Sequence, residues 1–304
     1  MPANLTIKNE YASVIVSPDA GASLRSFSVN EDGASYELLA GGENEHGPTL
    51  VPHGTGSFIM APWVNRIRGG RLVAPDGVHE LRLDAPLHAT HGLVRLSAWN
   101  VTATTESTAR LEIELPESWP YRGRIEYSVA LEDRSFVQTL RLLAAPDEAR
   151  SFPGGVGWHP WFKRSLGSAG HGPDSGEMSV RADVVSEWGL DDTMTALGTR
   201  SDSATTRRLR QGTRFEPGEV DGCFLIEPGG RAVLAWPELT LTMSGSETVT
   251  HLMFYSPGHA ICVEPQTSTV DAAQLAARGI SDTGHVLVDR SNPLTATTSW
   301  GWEL

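Results

Sequence analysis

Cysteine is scarce in this chain, with only Cys223 and Cys262 among 304 residues. Both lie in apolar, strand-like runs. They could pair only if the fold brings them together, and buried free thiols in a cytoplasmic protein are the expectation. Positive charge is also short. Lysine and arginine total 24 against 37 acidic residues, a net charge of −13, so the basic footprint of a nucleic-acid binder is missing. No apolar run approaches the length that spans a bilayer, and no membrane partner is expected. Residues 1–10 lack both the basic and the apolar segment of a secretory leader. G-x-G-x-x-G, P-loop and H-E-x-x-H patterns are absent, so neither a cofactor nor a metal is expected. Helical periodicity is rare. Only residues 271–278, alanine-rich with an acid at the start and Gly279 as a stop, read as a helix.

What the chain does have is alternation. Ser13-Val14-Ile15-Val16, the Pro18-Asp19-Ala20-Gly21 turn and residues 24–29 read as a hairpin with a longer loop. Between residues 99 and 143 the period of two is clear. Leu111, Ile113 and Leu115 alternate with Glu112 and Glu114, and Ile125, Tyr127, Val129 and Leu131 alternate with Glu126, Ser128 and Ala130. Strands resume over residues 232–234, 239–243 and 249–255. Residues 41–56 and 165–179, rich in glycine with proline, histidine or serine, read as loops. The arginines at 207, 208, 210 and 214 read as a solvated turn. With 39% hydrophobic residues the chain can bury a large core. No domain boundary or repeat stands out, so residues 1–304 are expected to form one mostly antiparallel β domain.

Five stretches carry chemistry. In Ile261-Cys262-Val263-Glu264-Pro265-Gln266-Thr267 an apolar run ends in a carboxylate, and a proline follows that has no amide donor and holds Glu264 extended. This reads as a buried strand that stops at Glu264 and delivers its carboxylate to a cleft, with Gln266 and Thr267 adding neutral hydrogen-bonding groups. Taken alone, a partnered structural glutamate is the plainer reading. In Gly154-Gly155-Val156-Gly157-Trp158-His159-Pro160-Trp161-Phe162, His159 is flanked by aromatics. A core histidine and a sugar pocket with aromatic walls stand level there. Asn65-Arg66-Ile67 precedes a glycine pair, and Arg66 is either a solvated strand-end charge or a donor fork for oxygens. His88 and His91, in a segment that reads as a loop, are spaced for a metal, but no third ligand follows them, which favours ordinary or substrate-facing imidazoles. Asp221 heads an apolar strand, where a turn role is commoner.

Together these stretches resemble the aldose 1-epimerase (galactose mutarotase) family. The resemblance runs through Asn65-Arg66-Ile67, His91-Gly92, His159-Pro160 with Phe162, Asp221 and Glu264-Pro265-Gln266-Thr267, in the family's order. It implies a large antiparallel β-sandwich of the mutarotase-like supersandwich type, with a small-molecule sugar bound in a cleft on one sheet. It implies Glu264 as general base, His159 as general acid, and Asn65, Arg66, His91 and Asp221 as holders of sugar hydroxyls. The implied reaction interconverts α and β anomers of a free aldohexose such as galactose or glucose, in a monomer or homodimer. Trp161 stands where many members carry tyrosine, which bears on sugar preference. Two other readings belong beside it. One is a hexose-6-phosphate 1-epimerase using Arg66, Arg68, Arg71 or Arg95. The other is a non-catalytic sugar-binding protein, against which the presence of both His159 and Glu264 speaks.

Overall fold

The computed structural model describes residues 4–31, 33–41, 54–85, 87–167 and 177–303. Nearly all of the regular structure is antiparallel strand. A large sheet of eleven strands runs in the order 5–8, 12–17, 23–31, 57–60, 157–163, 260–266, 251–255, 221–226, 184–190 and 196–201, with strand 34–37 added on 23–31. A second sheet of eight strands runs 100–104, 108–114, 123–132, 135–144, 294–303, 240–245, 231–235 and 179–182.

The alternation in the sequence decides how the sheets meet. Side chains on a strand point to opposite faces in turn, so each apolar set is collected on one side. In the strand Gly123–Glu132 the buried and half-buried residues alternate as the sequence predicts, with Ile125, Tyr127, Val129 and Leu131 inward. Its register with Ser135–Ala144 pairs Tyr127 with Leu140 and Leu131 with Phe136. Aromatic rings join the two sheets. Phe27 of the large sheet lies 5.4 Å from Phe136 of the smaller one, and Phe162 lies 5.3 Å from Trp300, centroid to centroid. Each fully buried ring of this kind contributes about 1.5–3 kcal/mol of apolar burial. The result is a sandwich of two antiparallel sheets.

Several local readings need correction. The arginine run is not a turn. Arg207, Arg208 and Arg210 lie in the helix Ala204–Gln211, capped where Ser203 Oγ accepts from the Thr206 amide at 3.0 Å. The helix is short and polar, and its arginines tie outward, Arg208 to Glu219 and Arg210 to the Val184 carbonyl. Such bonds come from tertiary contacts and leave no periodic trace. The second helix, Ala272–Ala277, matches its prediction, with Gly279 past its end at a φ of 76°. Residues 88–90 form a strand against Arg66–Arg68 rather than a loop. Ser179 begins a strand instead of ending a loop. The remainder of the loop readings at 42–53 and 168–176 lies outside the described residues. Both cysteines are free and buried. Among the described residues no helix is long and apolar enough to cross a membrane.

Candidate active site

The site sits on the outer face of the large sheet, over its middle strands. Period two again explains which side chains arrive there. In Gly157–Lys163, Trp158 and Phe162 enter the main core, so His159 and Trp161 face the other way. In Ala260–Gln266, Ile261 and Val263 face the core, and Cys262, Glu264 and Gln266 face the site. Trp158 therefore does not wall the site, contrary to the reading that placed both tryptophans beside His159.

The strand carrying Glu264 does not stop there. It continues through Pro265 to Gln266 in the middle of the sheet, with Leu252 opposite Pro265 on one side. On the other side the ladder pairs Gly157 with Gln266 and Trp161 with Cys262, and has no pair between them. Pro160 and Pro265 fall in that interval. Proline has no amide hydrogen to give a ladder, so it is tolerated where the ladder is already interrupted. His159 and Glu264 face each other across the gap, Nε2 to Oε1 at 3.2 Å, both almost wholly buried.

Burial sets the electrostatics. Desolvation pushes the Glu264 carboxyl well above its ordinary pKa, and the negative charge of Asp221 pushes the same way, while Arg66 pulls it down. Asp221 stands exposed at the rim, yet protein crowds its carboxyl enough that desolvation raises it too, again opposed by Arg66. Glu264 Oε2 has no hydrogen-bond partner among the described residues. A buried carboxylate oxygen without a donor is costly unless a ligand supplies one.

Asn65, Arg66 and His91 come from a separate excursion that folds over this face. Asn65 and His91 both have left-handed backbones, φ 51° and 59°, and the His91 amide donates to the Asn65 carbonyl at 2.7 Å. Non-glycine residues adopt this conformation rarely, and such strain gathers at functional sites. Gly92 is required beside them. With φ at +74°, a Cβ there would lie 1.9 Å from the Ala61 carbonyl oxygen. The Asn65 amide donates to Gln266 Oε1 at 2.7 Å. His91 Nδ1 lies 3.1 Å from Met60 Sδ, and the His91 ring meets Phe58 and His159 edge-on. The Arg66 carbonyl accepts from the Asp271 amide at 3.0 Å, which fixes the backbone that carries the guanidinium.

The structure thus brings Glu264, His159, Asn65 and His91 together, with Arg66 and Asp221 close enough to act on Glu264 electrostatically. Thr267 does not join them, because its hydroxyl accepts from the Val156 amide at 3.0 Å. His88 is apart as well, accepting from the Gly69 amide through Nδ1 at 3.2 Å, so the two histidines do not form a metal pair. Three residues near the centre were missed. Phe58 stacks on His159 at 4.5 Å, and Trp161 also stacks on it, at 5.0 Å. His259 stacks on Trp161 in turn, at 5.5 Å. Cys262 is the third missed residue. His159, Cys262 and Glu264 place ligand atoms within 4.8 Å of one another, as no other trio of such side chains does among the described residues. Strand alternation put Cys262 on the Glu264 face, and that signal was available.

The pattern of the aldose 1-epimerase family matches residues 4–286. The chain belongs to the aldose 1-epimerase family. A galactose mutarotase-like protein from Clostridium acetobutylicum superposes with a TM-score of 0.82 at 14% identity, covering 98% of this chain and 94% of that one. The GalM/aldose epimerase homologue from C. elegans gives 0.80 at 15% identity, covering 99% and 98%. Galactose 1-epimerase from Lactobacillus acidophilus NCFM gives 0.75 at 15%, covering 99% and 94%. At such identities the likeness shows the fold, which is the mutarotase-like sandwich. A comparison with curated protein sequences finds no match.

Proposed function

We propose that this chain is a mutarotase, interconverting the α and β anomers of a free aldohexose such as galactose or glucose. The observation that carries the reading is the buried His159–Glu264 contact at 3.2 Å. Ring opening takes a proton from the C1 hydroxyl and gives one to the ring oxygen. Both oxygens are bonded to C1, so the base and the acid have to converge on neighbouring atoms. Glu264 accepts the hydroxyl proton and His159 protonates the ring oxygen. The C1–ring oxygen bond breaks as the C1 carbonyl forms. Rotation about C1–C2 then exposes the other carbonyl face, and the two residues exchange roles on closure.

The electrostatics suit this assignment. A carboxylate raised by burial is a stronger base than an exposed one, and Arg66 keeps its ionised form accessible. Arg66, Asn65, His91 and Asp221 are assigned to the sugar hydroxyls. Asn65 gives its N–H to Gln266, leaving the carbonyl end of its amide as an acceptor. We also read the chain as one domain, because a single core cluster draws on both sheets. Two free buried thiols fit a cytoplasmic setting.

The pairing of the arginines disfavours a phosphorylated substrate. Arg68 binds Asp191 at 2.9 Å, Arg95 binds Asp84 at 3.0 Å and Arg71 binds Glu80 at 3.3 Å. Of the four candidates only Arg66 has no carboxylate in an ion pair among the described residues, and it sits at the Glu264 centre. Polarimetry on freshly dissolved α-D-galactose, α-D-glucose and glucose 6-phosphate tests the proposal against the spontaneous background. Acceleration of the free sugars is expected. Acceleration of the phosphorylated sugar alone would replace this reading with the hexose-6-phosphate one, and binding without acceleration would leave a sugar-binding protein.

A further inference from the structure

Proton transfer as described uses His159 and Glu264 but gives Cys262 no task, although its sulfur completes a compact trio with them. Zinc bonds to nitrogen, oxygen and sulfur are about 2.0–2.3 Å long, so tetrahedral ligands stand roughly 3.3–3.6 Å apart. The His159–Glu264 edge at 3.2 Å is already close to that separation. The sulfur lies within 4.8 Å of both partners, so a modest closure completes the face. The three side chains project from two adjacent strands of the large sheet, which holds them in place. Glu264 Oε2 has no partner of its own to lose.

We propose that these three residues form a binding site for a thiophilic divalent cation, with Zn²⁺ the fitting ion. The cation is held by His159 Nε2, Cys262 Sγ and the Glu264 carboxylate, and its binding shuts off the proton transfer. The inhibitory part rests on the mutarotase reading; the binding part does not. Imidazole, thiolate and carboxylate together neutralise a double positive charge, so the occupied site leaves no uncompensated charge in a buried setting. Sulfur and nitrogen donors select against Mg²⁺ and Ca²⁺, which take oxygen ligands. On binding, the Cys262 S–H bond breaks, a sulfur–metal bond forms, and the proton passes to solvent. Any proton shared between His159 and Glu264 leaves the same way. Asp221 favours the cation and Arg66 opposes it. The fourth position, where a water would complete the tetrahedron, lies on the side the sugar would occupy, so metal and sugar exclude each other.

The test is equilibrium titration of the metal-free protein with Co²⁺ and Zn²⁺, alongside anomer-exchange rates. One Co²⁺ per chain, with a near-ultraviolet sulfur-to-cobalt charge-transfer band, is expected for the wild type. Cys262→Ala and the closely shaped Cys262→Ser should lose the band and bind Zn²⁺ more weakly by over about 100-fold. Cys223→Ala, which alters the other buried thiol, should keep both. Zn²⁺ should inhibit the wild type in competition with galactose, and leave Cys262→Ala at its own metal-free rate. A cobalt band in a protein that never accelerates anomer exchange would uphold the metal site and reject the mutarotase reading. Acceleration with no stoichiometric metal binding, or binding indifferent to Cys262, would overturn the metal site and leave the enzyme.

Discussion

Replacing Glu264 with glutamine changes one atom of the proposed base and separates its chemistry from its packing. The amide keeps the shape that places an oxygen or nitrogen 3.2 Å from His159 Nε2, but it cannot take the C1 proton. A positioned acid or base contributes about 10²–10⁴-fold, which is roughly 2.7–5.5 kcal/mol of barrier. The anomer-exchange rate of Glu264→Gln in metal-free buffer should therefore fall by at least about 100-fold, with sugar affinity retained. Stability should move the other way. Burial raises the Glu264 pKa above its ordinary 4.5, so the folded state holds the proton more tightly than the unfolded chain does. The wild type keeps its full stability below that ordinary value and loses some as pH rises through the folded pKa. Glutamine removes this loss. Its melting temperature should equal or exceed that of the wild type at pH 8, with the gap closing toward pH 4. A variant that retains a tenth of the rate, or melts well below the wild type at pH 8, would refute the reasoning.

The neighbouring charges should tune the same group in opposite directions. Arg66→Gln removes the charge that lowers Glu264, so the acidic limb of its kcat/KM profile should move to higher pH, whereas Asp221→Asn should move it to lower pH. Limbs that stay in place in both variants would mean that another group sets them. Gly92→Ala forces a Cβ against the Ala61 carbonyl at a positive φ. It should cost about 3 kcal/mol or more, read in a chain of 304 residues as a Tm drop of roughly 5 °C or more, and a near-normal Tm would contradict the backbone geometry. Asp271, buried behind Arg68, has its pKa raised to about 6 by desolvation. The stability linked to that proton is present below about pH 4 and lost by pH 6 and above. Asp271→Asn should therefore gain stability over the wild type at pH 8 that it does not gain at pH 4, by at most about 3 kcal/mol before screening, as thermal melts of both proteins at the two pH values would show.

How much of this could be read from the chain depends on the range of the interaction. Glu264 and His159 were legible because each precedes a proline at the end of an apolar run, a local pattern with a physical cause. The proline was misread as the end of a strand. Only the fold shows that Pro160 and Pro265 fall in one interrupted stretch of ladder, two strands meeting across more than a hundred residues. The sandwich was legible because a period of two leaves its mark in every strand. The left-handed backbones of Asn65 and His91 were not, since what holds them is a bond between residues 26 positions apart and the tight approach of Gly92 to Ala61. The helix Ala204–Gln211 escaped for a similar reason, as its arginines bond to neighbouring segments. The tryptophan error was one of direction. The sequence showed aromatics on either side of His159, but not that Trp158 turns into the main core while Trp161 stacks on both His159 and His259.

The most direct test of the central claim is proton NMR exchange spectroscopy on the H1 resonances of galactose already at anomeric equilibrium, in metal-free buffer. The account predicts α–β exchange cross-peaks that grow with wild-type protein and vanish to the spontaneous level in Glu264→Gln. Exchange that persists unchanged in that variant, or that wild-type protein fails to raise for any aldohexose, would contradict it.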